Sequence, residues 1–409
     1  MSKNDFLIEN GVLLKYYGND SNVIIPDDIT IIGCGAFANT NIQKVKMSNK
    51  ITGIGEYAFY NCSFLDEVTF SEGLQLIGEL QLIGEYAFSN CESIKSISIP
   101  SNVIILDNHA FSGCFSLENV SFCEKSKLYT IGEKAFYGCT SLLEIQIPDS
   151  VEKIGKSAFE SCICLETIFL PVLLKFIEAR TFAFCKKLKN VNFPLKLEKI
   201  GERAFCACVS LKNINLTEMV KSIGKGAFFN CFNLKNVILP DTIRIVGNYA
   251  FDGCHSIENI KLPDSIKRIG ESAFRLTAIN NVVLPSNLKI VSKYLFAGCG
   301  KLSSVIFPQN LEKIDDFAFF GCAKLSKVQF PNSLKIIGES AFEECNSLRK
   351  VCVPNDVIVI KDKAFGYTRP YDFTYTYNSY PVVDFNIIGE KDSIAEKYAN
   401  ENKMIFTIK

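Results

Sequence analysis

Apolar and polar positions alternate along this chain in short bursts, and the bursts recur at a fixed spacing. In the segment Leu165, Ile168, Leu170, Pro171 the last residues run apolar, polar, apolar. That period of two marks a short strand with one buried face, and Pro171 ends it because proline cannot donate to a ladder. Just upstream lie Val151, Ile154, Gly155, Ala158, Phe159 and Cys162. The phenylalanine of this unit returns at 37, 59, 88, 111, 136, 159, 182, 205, 228, 251, 274, 296, 319, 342 and 365, fifteen times in all. From Phe136 to Phe274 every step is 23 residues. A fixed period of this length predicts stacked coils, each contacting only its neighbours, rather than several globular domains. About fourteen parallel strands at roughly 4.8 Å would give a sheet on the order of 65 Å long. Small Ala158 beside large Phe159 lets coils approach while the rings stack into a spine. Gly155 is read as a tight turn, and ten of the fifteen repeats carry glycine there.

The ends depart from the repeat and read as caps. Residues 1–25 form an N-terminal capping hairpin, with Phe6–Ile8 and Val12–Leu14 around Glu9-Asn10-Gly11. Residues 26–366 are the solenoid. Residues 367–409 form a C-terminal cap: a strand-like, Tyr-rich stretch Tyr367–Val383, a helix Ser393–Asn402 with Asp392 or Ser393 as N-cap, and a last strand Met404–Ile408. The third repeat holds a duplication: Leu74–Glu79 and Leu80–Glu85 are both Leu-Gln-Leu-Ile-Gly-Glu, and the Phe step there is 29 residues. The extra six residues are expected to bulge from the convex or turn side while the flanking strands keep register.

The unit Ile-Gly-x-x-Ala-Phe-x-x-Cys-x-x-Leu-x-x-Ile-x-Ile-Pro, seen at Ile131–Pro148, Ile154–Pro171, Ile223–Pro240 and Ile337–Pro354, resembles the BspA-like, Treponema-type leucine-rich repeat. The resemblance covers roughly Pro26–Gly366, and Ile388–Ile408 looks like the C-terminal cap of bacterial members. It implies an α/β repeat fold: a leucine-rich-repeat solenoid with a parallel sheet on one face, about fifteen 23-residue coils, capped at both ends. It also implies protein binding, often adhesion at a bacterial or protist surface, and it brings no catalytic residues with it.

Composition narrows the function classes. The chain has 44 basic and 44 acidic residues, so no net field favours nucleic acid or an anionic membrane. No apolar run reaches the length of a membrane-spanning helix. Lys3, Asp5 and Glu9 occupy the region where a signal peptide would be apolar. A cytoplasmic monomer is the expectation for the chain as written, whereas the resemblance points to a surface or secreted setting. The seventeen cysteines are not read as a disulfide framework, because twelve of them sit three residues after the repeat Phe. They predict a ladder of small, buried, reduced side chains.

Sites for chemistry were sought residue by residue. The two histidines, His109 and His255, lie in different repeats, and His255 beside Cys254 is read as a variable loop position next to a core cysteine. Cys162/Cys164 and Cys206/Cys208 each include a ladder member, and four convergent zinc ligands are not assembled. No cofactor, metal or catalytic group is expected. Function is placed on the outward face of the strands. The second position after the repeat Leu carries Asn in five successive coils: Asn190, Asn213, Asn236, Asn259 and Asn281. The fourth position is apolar at Phe169, Ile238, Val283 and Ile306, out of pattern for a solvated row. Lys189, Lys212 and Lys235 form a short basic row beside it. The Asn run reads either as a stabilising amide ladder or as part of a patch for a protein partner. The alternative partner is a host or matrix protein or glycan, met through exposed aromatics. The group Tyr367, Tyr371, Tyr375, Tyr377 and Tyr380 is a second candidate surface, or packing of the C-terminal cap.

Overall fold

The structure, a computed structural model, describes residues 5–70, 81–369 and 379–409. Their contacts divide the chain into two units, one ending at Leu211 and one beginning at Lys212. Each unit is a stack of coils built on one plan.

The coil around Phe159 shows the plan. It opens with a two-residue strand, Lys153–Ile154, passes through a run of turns to Cys162, and returns through the three-residue strand Thr167–Phe169. Each coil therefore feeds two parallel ladders, a narrow one and a wide one. In unit 1 the narrow ladder joins Val12–Tyr16, Ile31–Ile32, Gly53–Ile54, Leu82–Ile83, Ile105–Leu106, Thr130–Ile131 and Lys153–Ile154 in parallel register. The wide ladder includes Ser96–Ile99, Asn119–Phe122, Glu144–Gln146, Thr167–Phe169 and Asn190–Asn192. The sequence pattern anticipated only the wide one. The antiparallel hairpin Phe6–Glu9 with Val12–Tyr16 starts unit 1, turning through Asn10 and Gly11 in left-handed conformations.

The turns between the ladders follow a strict alternation. The amides of Lys134, Phe136 and Gly138 donate forward to Lys156, Ala158 and Glu160 of the next coil at 2.8–2.9 Å. The amides between them fold back within a coil, as Ala158 does to Gly155, Glu160 to Ser157 and Cys162 to Phe159. Pointing alternate amides in opposite directions requires left-handed residues on both sides of the Phe, here Ser157 (φ 54°) and Ser161 (φ 64°). Every backbone donor from Ser157 to Cys162 is thereby used, as a buried turn demands.

Glycine at the slot of Gly155 is needed for a different reason than a turn. Its φ is not left-handed, but a Cβ there would sit 2.5 Å from the Glu133 amide nitrogen of the preceding coil. Glycine lets the coils close to contact distance.

The repeat phenylalanines stack as expected. Ring centroids of successive Phe side chains from Phe37 to Phe205 lie 4.9–5.6 Å apart, and those from Phe228 to Phe365 lie 5.1–5.8 Å apart. These rings are almost wholly buried. The cysteines gain a role that burial alone does not give them. Within each unit ladder thiols donate to the carbonyl of the previous coil's Phe: Cys62 to Phe37 at 3.1 Å, Cys139 to Phe111 at 3.3 Å, Cys162 to Phe136 at 3.2 Å, Cys322 to Phe296 at 3.2 Å. Where the slot holds Thr40 or Thr277 instead, the hydroxyl donates to the Phe carbonyl of its own coil, Phe37 or Phe274, at 2.7 and 2.9 Å.

In unit 2 the wide ladder is interrupted. Asn213–Asn215 pairs with Asn236–Ile238, Asn281–Val283 with Ser304–Ile306, and Lys350–Cys352 with Asn386–Gly389, which pairs on to Ile405–Ile408. The coils between them, at 259–261 and 327–329, form no strand there. Among the described residues the fold has one α-helix, Ile394–Glu401, capped by Ser393, whose side chain accepts from the Glu396 amide. The helix covers the last strands with Tyr398 and Ala399. The strand Tyr367–Thr368 pairs antiparallel with Tyr380–Pro381. The duplicated hexapeptide falls mostly in 71–80, and Tyr371, Tyr375 and Tyr377 in 370–378, outside the described residues.

Candidate functional site

Alternation along the wide strands places every second side chain in solvent, and the predicted row lies there. Phe169 is 49% exposed, Ile238 57%, Val283 59% and Ile306 59%. Asn190, Asn213, Asn236, Asn259 and Asn281 are all exposed as well. Phe169 and Asn190 belong to unit 1, the other seven to unit 2. One expectation needs correction: Asn259 is not on a strand. The next coil is one residue short, since Phe274 to Phe296 spans 22 residues. The shortening falls between the Cys slot and the strand, and 259–261 forms no strand beside Asn281–Val283.

The asparagines do not form one continuous amide ladder. Asn236 Nδ2 donates to Asn213 Oδ1 at 2.6 Å. Asn281 Oδ1 instead accepts from Ser303 and Ser304 at 3.0 and 2.7 Å. Among the described residues Asn190 and Asn259 make no side-chain hydrogen bond, which leaves their amides to solvent. Lys189 of the basic row pairs with Glu166 at 2.7 Å, and this pair holds the Glu166 carboxyl below its usual range.

Among the described residues a cleft opens on this face in each unit, at a place where the ladder fails. In unit 1 the Phe111 to Phe136 step is 25 residues, two more than usual. The strand Asn119–Phe122 pairs over its whole length with Ser96–Ile99, but meets the following strand only at Asn119 and Glu144. Beyond that point the chains diverge and a cleft of about 670 Å³ forms. Ser121, Gln146 and the 122–126 loop line it, and Phe169 lies at one side. In unit 2 a cleft of about 730 Å³ lies between the unpaired segment Ile260–Ser265 and the pair Asn281–Val283 and Ser304–Ile306. Val283 and Ile306 stand opposite each other in the parallel register. Polar groups at its margin are Asp241, Lys261, Asp264 and Asn281. The Ser286 amide, 2.7 Å from Asp264 Oδ1, holds that carboxyl below its usual range. Sequence reasoning found the exposed apolar residues but not the clefts, although the 25-residue step of unit 1 was there to be counted.

The groups weighed for catalysis are engaged in packing. Cys254 Sγ donates to Phe228 O at 3.1 Å, and burial pushes its thiol well above the usual range. The His255 ring stacks on Phe232, and its Nδ1 lies 2.8 Å from Leu276 O. His109 ends a stack with Tyr86 and Tyr57. Tyr367 bonds through its hydroxyl to Asn402 at 2.6 Å, tying the Tyr-rich segment to the end of the helix. Among the described residues no three His, Cys, Asp or Glu side chains gather as a metal site would need.

The coil plan, with its buried Phe and Cys slots, matches a family model for the BspA-type leucine-rich repeat region over 15–81, 78–189, 175–299 and 267–380, in six copies. The chain belongs to the BspA-type leucine-rich repeat family. A leucine-rich repeat protein from Bacteroides ovatus has 25% identity and a TM-score of 0.73, with 100% of this chain and 97% of that one covered. The pneumococcal vaccine antigen PcpA shares the fold at 14% identity and a TM-score of 0.52, with 100% and 98% covered. A search of curated proteins returns no match. Leucine-rich repeats form a non-enzymatic scaffold family whose members typically mediate protein interactions. In this BspA-type chain the variable letters of the repeat sit on the wide strands and their turns.

Proposed function

We propose that this protein is a non-catalytic recognition scaffold that binds a protein partner on the sheet face of unit 2. One observation carries the reading: Val283 and Ile306 are in register and side by side, each 59% exposed, at the mouth of a cleft. Burying an aliphatic side chain fully is worth about 1.5–3 kcal/mol, so covering the exposed parts of this doublet supplies roughly 2 kcal/mol. Asn281, Lys261 and Asp264 around it offer donors and acceptors of both charges. That combination, an apolar centre with a polar rim, fits a loop or extended segment of another protein. Ile238, on the other paired strands of the unit, adds a second exposed anchor. The strands are held by packed coils, so little ordering is lost when the partner docks.

The test is a double substitution, Val283→Ser with Ile306→Ser. Stability should change by no more than about 0.5 kcal/mol per site, since both side chains already face water. Partners recovered from native lysate by the wild-type chain, and competed by free wild type, should fall more than about tenfold with the variant. Equal recovery of the same competed partners by both chains would refute the placement.

A further inference from the structure

The cleft of unit 1 has a different chemistry from that of unit 2. Its floor is polar. Asn119, Ser121, Glu144 and Gln146 all point outward from the two diverging strands, and among the described residues none of the four makes a side-chain hydrogen bond. An amide, a hydroxyl, a carboxylate and a second amide thus line one groove with their donors and acceptors unspent. At its side stands a single half-exposed aromatic face, Phe169, in a row that reads Ser98, Ser121, Gln146 and Asn192 in the neighbouring coils. The lining also contains Ser150, whose Oγ is buried and has no partner in the protein. A buried hydroxyl left unpaired is costly and calls for a group that completes it. The volume of about 670 Å³ lies in the range of small-molecule sites, roughly 300–1,000 Å³.

We infer that this cleft is a saccharide-binding site that takes neutral or amino-bearing sugars. A pyranose ring presents hydroxyls that both donate and accept around its rim, which match the floor, and an apolar C–H face, which matches Phe169. A peptide anchor would need a deep apolar pocket, and Phe169 gives only one flat face beside polar groups. The ionisable lining is Glu124, Glu144 and Asp149 against Lys125. Three carboxylates facing one ammonium repel an acidic sugar and favour a neutral or cationic one. The site is separate from the unit 2 surface, so either reading can fail alone.

Cys123 gives the assay a reporter. It is exposed, it lines the cleft, and it occupies the slot that proline holds in most coils. Alkylation by iodoacetamide is followed at Cys123 by peptide mass spectrometry, with exposed Cys34 and Cys352 as internal references. The probes are maltose, cellobiose, lactose, N,N′-diacetylchitobiose and glucosamine, with glucuronate as the acidic control. At least one neutral or amino probe should slow Cys123 alone, by about tenfold when present at ten times its Kd. Phe169→Ala and Gln146→Ala should each weaken that protection more than about tenfold, while alkylating at the wild-type rate without sugar. The inference is overturned if none of the five sugars protects Cys123 at concentrations well above a millimolar Kd. It is equally overturned if glucuronate protects as well as they do, or if Phe169→Ala leaves protection intact.

Discussion

Raising the pH should unfold this protein through its cysteines. Burial pushes the thiols of Cys91, Cys114, Cys139, Cys162 and Cys185 in unit 1 above the ordinary range, and those of Cys254, Cys299, Cys322 and Cys345 in unit 2. Cys114 is pushed up to about 12 and Cys299 to about 11. The same thiols titrate near 8.5 in an unfolded chain. Below that value both states are protonated and the groups contribute no pH dependence. Above it the unfolded chain loses protons that the folded one keeps, so stability falls as pH rises. At about pH 10 each such thiol removes roughly 2 kcal/mol, since the gap of 1.5 units converts at 1.36 kcal/mol per unit. Summed over the raised thiols of either unit, the loss approaches the usual stability of a whole domain. Urea midpoints followed by circular dichroism in reductant, from about pH 7.5 to 10, should therefore drop steeply above pH 8.5, ahead of tyrosine and lysine titration. Cys114→Ala should show a shallower fall by one thiol's share, about 1.36 kcal/mol per pH unit. A urea midpoint that stays level across this interval would refute both the burial of the thiols and the ladder built on them.

Two substitutions test the coil plan itself. Ala207 holds a left-handed conformation at φ 57°, which costs an alanine about 1–2 kcal/mol, so Ala207→Gly should stabilise by about 0.5–1 kcal/mol in urea titration after glycine's own entropy is subtracted; a loss would contradict the turn geometry. Arg180 holds buried Glu160 through its Nε, 2.9 Å from Oε2, and a second contact from Nη2, and these outweigh the upward push of burial to leave the Glu160 carboxyl below its usual range. Arg180→Ala should cost about 3–5 kcal/mol at neutral pH, and the deficit should shrink on acidification as the stranded carboxylate takes up a proton; a deficit independent of pH would sink this account.

The fold was legible in this sequence where a signal is repeated and has large amplitude. Phe, Ala, Cys and Pro at fixed offsets gave the coil, the spine and the wide strands. The narrow ladder escaped because Lys153–Ile154 and its equivalents are two residues long, too short for any alternation to register. The left-handed slots were half visible. The one after Phe is most often Asn or Gly, as at Asn39, Asn61, Asn90, Gly113, Gly138 and Asn230, though Ser161, Phe184, Ala207, Leu276 and Glu344 also fill it, whereas the one before Phe holds Tyr57, Tyr86, Lys134 and Arg203. There the hydrogen bonds to the next coil override intrinsic preference. The exposed row of Phe169, Ile238, Val283 and Ile306 followed from period two alone. The clefts did not, because they depend on how far two strands splay when a coil gains or loses a residue.

The turn slot before each Phe has a further consequence, for how such a chain can change. Its backbone path is dictated by the carbonyls of the following coil, and Tyr, His, Lys, Ser, Arg and Phe all occupy it with φ between 50° and 58°. The side chain there therefore does not set the backbone path, though some are engaged, as Arg180 is with buried Glu160. A row of such slots behaves like a line of type whose letters can be exchanged without disturbing the page. New surfaces can be composed along it at the slots whose side chains are exposed and unpaired, while the Phe two residues away stays fixed.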